Sequence, residues 1–211
     1  MNIVIAGSGN VGSALADGWR KAGHDITFAM REPDSSRGME LKQNGFGAVP
    51  LGAAATSADV IALAVPWSAV QTTIEALGSL AGKVLIDTTD PLRSTRELAL
   101  GFGDSGGETV ARLSPGARVV KAFSTTGAGN MADSQYPGGR LMMAVAGDDV
   151  TAKQIVMTLV AELGFDPIDT GPLAMSRYLE PLAMLWINLA YTQRLGPDIG
   201  FALLRRSPPL N

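Results

Sequence analysis

Short apolar runs alternate along the chain with segments of helical periodicity. Residues 2–6 (NIVIA) form a β-branched run, which predicts a buried parallel strand. Residues 11–22 place Leu15, Ala16 and Trp19 at helical spacing, and Gly23 stops that helix. Further strands are expected at 26–30, 60–65 (VIALAV), 84–87, 119–123, 141–146 and 167–170. Short elements are expected around 36–44 and 48–54. Helices are expected at 68–77 and 151–163, and residues 174–194 read as largely helical with a bend at Pro181. Segment 90–107, rich in Gly, Ser and Asp, reads in part as loop. Strands alternating with helices define an α/β class. The expectation is a Rossmann, doubly wound, mostly parallel sheet with a small α/β C-terminal extension. The soft boundary falls near Gly147, giving a dinucleotide-binding domain (1–147) and an extension (148–211) that either stands apart or belongs to the same compact unit.

Composition narrows the chemistry. The chain has 211 residues, no cysteine and one histidine, His24. Disulfides, thiolate metal sites and cysteine nucleophiles are excluded, and a multi-histidine metal cage is disfavoured. No metal is expected. The net charge of −3 without a basic run argues against nucleic acid and anionic membranes as partners. The longest late apolar stretch, 179–191, is interrupted by Glu180, Pro181 and Asn188. It falls short of the roughly 20 apolar residues that span a bilayer. Met1 leads directly into an apolar strand with no cationic leader, so the expected location is cytoplasmic.

Between the first strand and first helix, Gly7-Ser8-Gly9-Asn10-Val11-Gly12 matches G-x-G-x-x-G in the context that the motif requires. Gly7 permits the turn, Gly9 lets backbone approach a pyrophosphate, and Gly12 lets helix and strand pack closely. The helix N-terminus then meets the anion with free N–H groups and a favourable dipole. The tip of the second strand, Met30-Arg31-Glu32, reports cofactor choice. The Arg31 guanidinium suits an adenosine 2′-phosphate, with donors from Ser35, Ser36 and Arg37, whereas Glu32 suits a free 2′-hydroxyl. The balance favours NADP(H) over NAD(H). Ligands of open α/β sheets sit at the carboxyl ends of strands. That places Val65-Pro66-Trp67 and Thr88-Thr89-Asp90-Pro91 beside the cofactor.

Several stretches together are similar to the family of NADPH:coenzyme F420 oxidoreductases, to related bacterial reductases and to the reductase domain of the STEAP metalloreductases. They are GSGNVG from Gly7, AVPW ending at Trp67, VVKAFSTTGA at 119–128, AVAGDD ending at Asp149, and DTGPLAMSRYLEPLAMLWINLA at 169–190. The resemblance implies hydride transfer between NADPH and a flavin or deazaflavin co-substrate such as F420, commonly in a homodimer. It implies that Ser8, Gly9, Asn10 and Val11 carry the pyrophosphate and Arg31 the 2′-phosphate. Ala64, Val65 and Pro66 would line the nicotinamide side. Ala122, Phe123 and Ser124 would border the meeting place of nicotinamide and acceptor. Met30 and Glu32 depart from the archaeal pattern, which has Ser and a second basic residue there. Phe123 and Ser124 stand where those enzymes place a His.

The expected cofactor set is therefore Gly7, Ser8, Gly9, Asn10, Val11, Gly12, Met30, Arg31, Ser35, Ala64, Val65, Pro66, Thr89 and Ala122, with Trp67, Phe123, Ser124 and Thr125 on the acceptor side. No residue is assigned a catalytic proton transfer, since hydride transfer between stacked rings requires placement and exclusion of water rather than an obligate acid. His24 lies at the far end of the sheet and reads as structural. Lys121 reads as a structural cation rather than a carbonyl-polarising one. Trp67 and Phe123 suit either ring stacking or core packing. Two other readings remain open: a reductase of small carbonyls or imines, and a non-catalytic NADP(H)-binding module. The apolar stretch Pro181–Tyr191 lacks a polar face and is expected at or near a homodimer interface.

Overall fold

Eight strands carry the short apolar runs: β1 (Asn2–Ala6), β2 (Asp25–Met30), β3 (Gly47–Pro50), β4 (Val60–Leu63), β5 (Val84–Asp87), β6 (Arg118–Lys121), β7 (Met142–Gly147) and β8 (Asp166–Asp169). They are seen in a computed structural model that describes residues 1–93, 95 and 97–206. The strands form one sheet in the order β3-β2-β1-β4-β5-β6-β7-β8. Every pair is parallel except β6 with β7, which runs antiparallel. The order reverses between β1 and β4, the crevice where a doubly wound sheet opens to a ligand.

The helices are α1 (Asn10–Lys21), α2 (Ser36–Gln43), α3 (Leu51–Ala54), α4 (Val70–Leu77), α5 (Gly106–Leu113), α6 (Ala128–Ala132), α7 (Val150–Glu162) and α8 (Ser176–Ile187). They cover both faces, which is why the central strands are apolar throughout rather than alternating. On one face Leu15 and Trp19 of α1 meet Phe28, Val145 and Leu159. On the other, Leu51, Ile74, Leu77 and Val110 cover Val4, Ile61 and Leu85. Leu179 of α8 rests on Ala144 and Ala146, so the last helix lies over β7. The sheet continues unbroken past residue 147, because β8 pairs with β7 from Met142 to Val145.

Three details depart from the sequence expectations. Ala64, Val65 and Pro66 leave β4, which stops at Leu63, and form the turn into a short 3₁₀ segment, Trp67–Ala69. β6 stops at Lys121 because Phe123 takes a left-handed backbone (φ 63°), and its N–H donates to the Met143 Sδ at 3.2 Å rather than to a carbonyl. Helices α5 and α6 were not anticipated at all. The α5 start was legible as Ser105-x-x-Glu108, in which the Ser105 Oγ accepts from the Glu108 N–H at 3.2 Å and donates to the Glu108 carboxylate at 2.7 Å. Gly106 and Gly107 concealed it, since glycine is a poor helix former.

Candidate functional site

At the glycine turn the three glycines have separable jobs. Gly7 adopts φ +119°, and a Cβ there would strike the Ala64 carbonyl. A Cβ at Gly12 would strike the Gly7 carbonyl, so this glycine sets the approach of α1 to β1. A Cβ at Gly9 would meet nothing within 4 Å. The fold therefore tolerates a side chain at Gly9, and the open space above it is what a phosphate needs. No side chain caps α1, and no acidic residue occupies its first turn. The helix thus presents its orphan N–H groups and positive dipole end to that space.

A cavity of about 620 Å³ extends from here, lined by Gly7, Ser8, Met30, Arg31, Ser35, Val65 and Pro66 among others. The volume is ordinary for a cofactor cleft. Arg31 is exposed at its rim and forms no ion pair among the described residues. Ser35 also lines the cavity, but its hydroxyl caps α2, accepting from the Gly38 N–H at 3.3 Å and donating to the Glu32 carbonyl at 2.7 Å. Arg37 turns inward. Its guanidinium donates to the Ser8 carbonyl at 3.2 Å and the Ser13 Oγ at 2.8 Å, and pairs with Glu40 at 2.8 Å, bracing the glycine turn from behind.

The ends of β5 and β6 are built differently. Asp87 closes β5, and its Oδ1 accepts from the Thr89 N–H and Oγ at 2.9 and 2.7 Å. The Thr89 side chain, expected on the cofactor, is thus buried and committed to Asp87. The Lys121 ammonium lies 3.0 Å from Asp87 Oδ2, 3.0 Å from Glu180 Oε1, and donates to the Thr89 carbonyl. Lys121 is fully buried, which opposes its charge, yet the carboxylates of Asp87, Glu180 and Asp90 outweigh that burial and hold it above the ordinary lysine range. Glu180 reaches across from α8, and its two oxygens accept from the N–H groups of Gly106 and Gly107 at 3.0 Å each, capping α5. Neither glycine can carry a Cβ without meeting Glu180, Trp67 or Ser176. Asp90 completes the group. Its Oδ1 is sealed from solvent and has no hydrogen-bond partner. Burial, with further repulsion from Glu180 and Asp87 and despite the Lys121 charge, pushes its carboxyl up to about 8.

Around this cluster sit the residues expected to face the acceptor. Trp67 is half-buried, and its ring and Pro91 share the corner beside Gly106. Ala122 is fully buried and its N–H donates to the Asp87 carbonyl at 3.1 Å. For Phe123, read as suiting either ring stacking or core packing, the ring takes the second role. Its ring packs edge-on to Trp19 in the core (5.7 Å, 79°), so only its backbone borders the site. The Ser124 Oγ is buried without a partner, and the Thr125 Oγ rests 3.7 Å from the Met143 Sδ. His24 lies at the opposite edge, 2.8 Å from Glu162. Sequence reading missed Glu180, Asp87 and the burial of the Asp90 carboxyl. The available signal was an acid or base ending each of two apolar strands (VLID, VVK) and a lone acid in an apolar helix. Among the described residues no cluster of His, Cys, Asp or Glu suits a metal ion, and no helix is long and apolar enough to cross a membrane.

The glycine turn, open switch point and uncapped α1 define a dinucleotide-binding Rossmann protein. Residues 2–91 match the family described as NADP oxidoreductase, coenzyme F420-dependent. The F420-dependent NADP reductase of Methanothermobacter thermautotrophicus is 30% identical over 211 residues, covering 91% of this chain and 90% of that protein. A solved structure from an Arthrobacter species, provisionally named an F420-dependent NADP reductase, superposes with TM-score 0.90 at 30% identity, covering 97% of this chain and all of that one. Rat metalloreductase STEAP3 is 31% identical over 185 residues, and the chain spans only 36% of its length. The chain belongs to the F420-dependent NADP oxidoreductase family and is an NADP-dependent oxidoreductase.

Proposed function

We propose that the protein transfers hydride between NADPH and a flavin-type ring, with the deazaflavin F420 as the leading acceptor. The observation that carries this is the end-to-end correspondence with the archaeal reductase, 91% of one chain against 90% of the other. The residues fit the cofactor. Gly9 leaves open space for a pyrophosphate, α1 supplies uncapped N–H groups, and Arg31 at the rim is free to pair with a 2′-phosphate. NADPH, when bound, supplies the hydride. The protein's share is to hold the dinucleotide along the cleft with Gly7, Ser8, Asn10, Val11 and Gly12. Ala64, Val65 and Pro66 support the nicotinamide half. Trp67, Ser124 and Thr125 would bound the acceptor side, where exclusion of water favours hydride transfer.

The assembly that we propose is a homodimer. Tyr178, Leu185 and Tyr191 are 62%, 48% and 54% exposed on or just beyond α8, an apolar face that a second copy would cover. Light scattering at micromolar concentration tests it, and a monomeric mass rejects it. The function is tested by stopped-flow mixing of NADPH-loaded protein with F420, FMN, FAD and a set of aldehydes and imines. Rapid oxidation of NADPH by a ring acceptor is expected. Brisk reduction of aldehydes or imines with none of the rings reduced would reject the reading.

A further inference from the structure

Three carboxyl groups and one ammonium share a buried pocket at the carboxyl ends of β5 and β6. Asp87 and Glu180 each contact Lys121 directly at 3.0 Å. Both are further satisfied, Asp87 by Thr89 and Glu180 by the first N–H groups of α5. One ammonium balances one carboxylate, and the α5 dipole favours Glu180 as an anion. A third anion here would leave two uncompensated negative charges away from water, which is prohibitively costly. Asp90 is the member without a direct ion pair to Lys121, and its Oδ1 meets no donor at all. An ionised carboxylate in that setting lacks support, whereas a protonated one avoids the penalty of a buried charge.

Asp90 is also the least buried member, just beyond the carboxyl end of β5, where ligands of open α/β sheets bind. It directly precedes Pro91, whose ring and that of Trp67 both lie about 3.2 Å from the Gly106 Cβ position. The residue as a whole is only partly buried, which leaves a route for proton exchange with solvent.

We propose that Asp90 is the proton donor of the reduction, held neutral by the Asp87–Lys121–Glu180 cluster and delivering its proton to the acceptor as hydride arrives. This rests on the hydride-transfer reading above. Two electrons and one hydrogen reach the acceptor as hydride. The Asp90 O–H bond breaks with its electron pair staying on oxygen, and the proton bonds the acceptor heteroatom on which negative charge develops. Asp90 is left as a carboxylate and regains a proton from water. A ring nitrogen of a flavin or deazaflavin is the acceptor class that such a donor serves.

The carboxyl holds its proton up to about pH 8, so the donor form is present through neutrality and is lost above. Turnover of the native protein should therefore fall as pH rises through about 8. Asp90→Asn should reduce the rate below that pH by about a hundredfold and flatten the profile, while NADPH affinity by nicotinamide fluorescence stays unchanged. A second readout needs neither acceptor nor turnover. The infrared carbonyl stretch of a protonated carboxyl should be present in native protein at neutral pH, titrate away near pH 8, and be missing from Asp90→Asn. An Asp90→Asn protein with the native rate and profile, or one that keeps the band, overturns the proposal. Should the variant not fold, a native profile that stays level through this range, or a native protein without the band, overturns it equally. If no acceptor oxidises NADPH in the native protein, the hydride-transfer reading fails and the donor role falls with it. The band then still decides separately whether the pocket holds a proton.

Discussion

The two halves of the cleft handle charge in opposite ways. Around Gly7–Gly12 the protein meets a ligand's negative charge almost entirely with backbone: uncapped N–H groups, a helix dipole and one rim arginine. Around Asp87–Asp90 it gathers titratable side chains of its own, three charged and one a neutral carboxyl, in one pocket. Backbone recognition needs only that side chains be absent, so its signature is glycine. The charged pocket needs partners from three distant segments, and removing one member strands the others. A change at Gly9 should therefore spare folding and harm binding, and a change in the charged pocket should harm folding first.

Removing the central cation sharpens that contrast most. Lys121→Met strands Asp87 and Glu180 in the interior and should cost about 3–5 kcal/mol of stability, read by urea unfolding. A loss below about 1 kcal/mol would show the cluster to be well hydrated, against its burial. Gly9→Val is the mirror experiment. Stability should change little, because a Cβ there meets nothing. NADPH affinity should fall by about a hundredfold, roughly 2.7 kcal/mol, as the side chain fills the phosphate space. A destabilised protein that binds normally would reverse the division of labour.

Arg31→Ala tests the rim cation of the backbone half. It should narrow the preference for NADPH over NADH by about tenfold or more, the value of one charge-assisted contact. Equal affinities in the native protein would remove Arg31 from the site. The most gradual effect is a pH slope. An unfolded Asp90 releases its proton near the ordinary aspartate range, whereas the folded one holds it to about 8. Between those limits the folded state carries the extra proton. Asp90 thus weighs nothing against folding below the lower limit, and its contribution is lost as pH rises through the upper one. Native stability should decline across that window by about 1 kcal/mol per pH unit at most, and Asp90→Asn should remove that part of the slope. A native curve without decline would place the proton elsewhere.

How much the sequence discloses follows the same division. Gly7, Gly9 and Gly12 announce their roles because the backbone motif is local, contained in six consecutive residues. β1, β4 and β5 read clearly because burial on both faces leaves uniform apolar runs. Glu180 was invisible, since the residues that it caps lie 73 and 74 positions away. The start of α5 was hidden for the same reason, because Gly106 and Gly107 look like loop until the carboxylate that excludes their side chains is known. Phe123 was assigned to the acceptor by strand-end position. A left-handed backbone turned its ring to the core, which no periodicity reports.

The reach of Glu180 from α8 also bears on the order in which the molecule is made. Synthesis proceeds from the amino end, so the glycine turn and the first five parallel strands emerge with everything they need for docking to one another. Lys121 emerges beside Asp87, but the carboxylate that closes the pocket and covers the start of α5 arrives some sixty residues later. Until then the nascent chain has a finished nucleotide cradle next to an unsealed polar seam. Final sealing of the working face is thereby assigned to the last helix to be translated. A nascent chain arrested before α8 should expose α5 to proteases, while β1 to β4 are already protected.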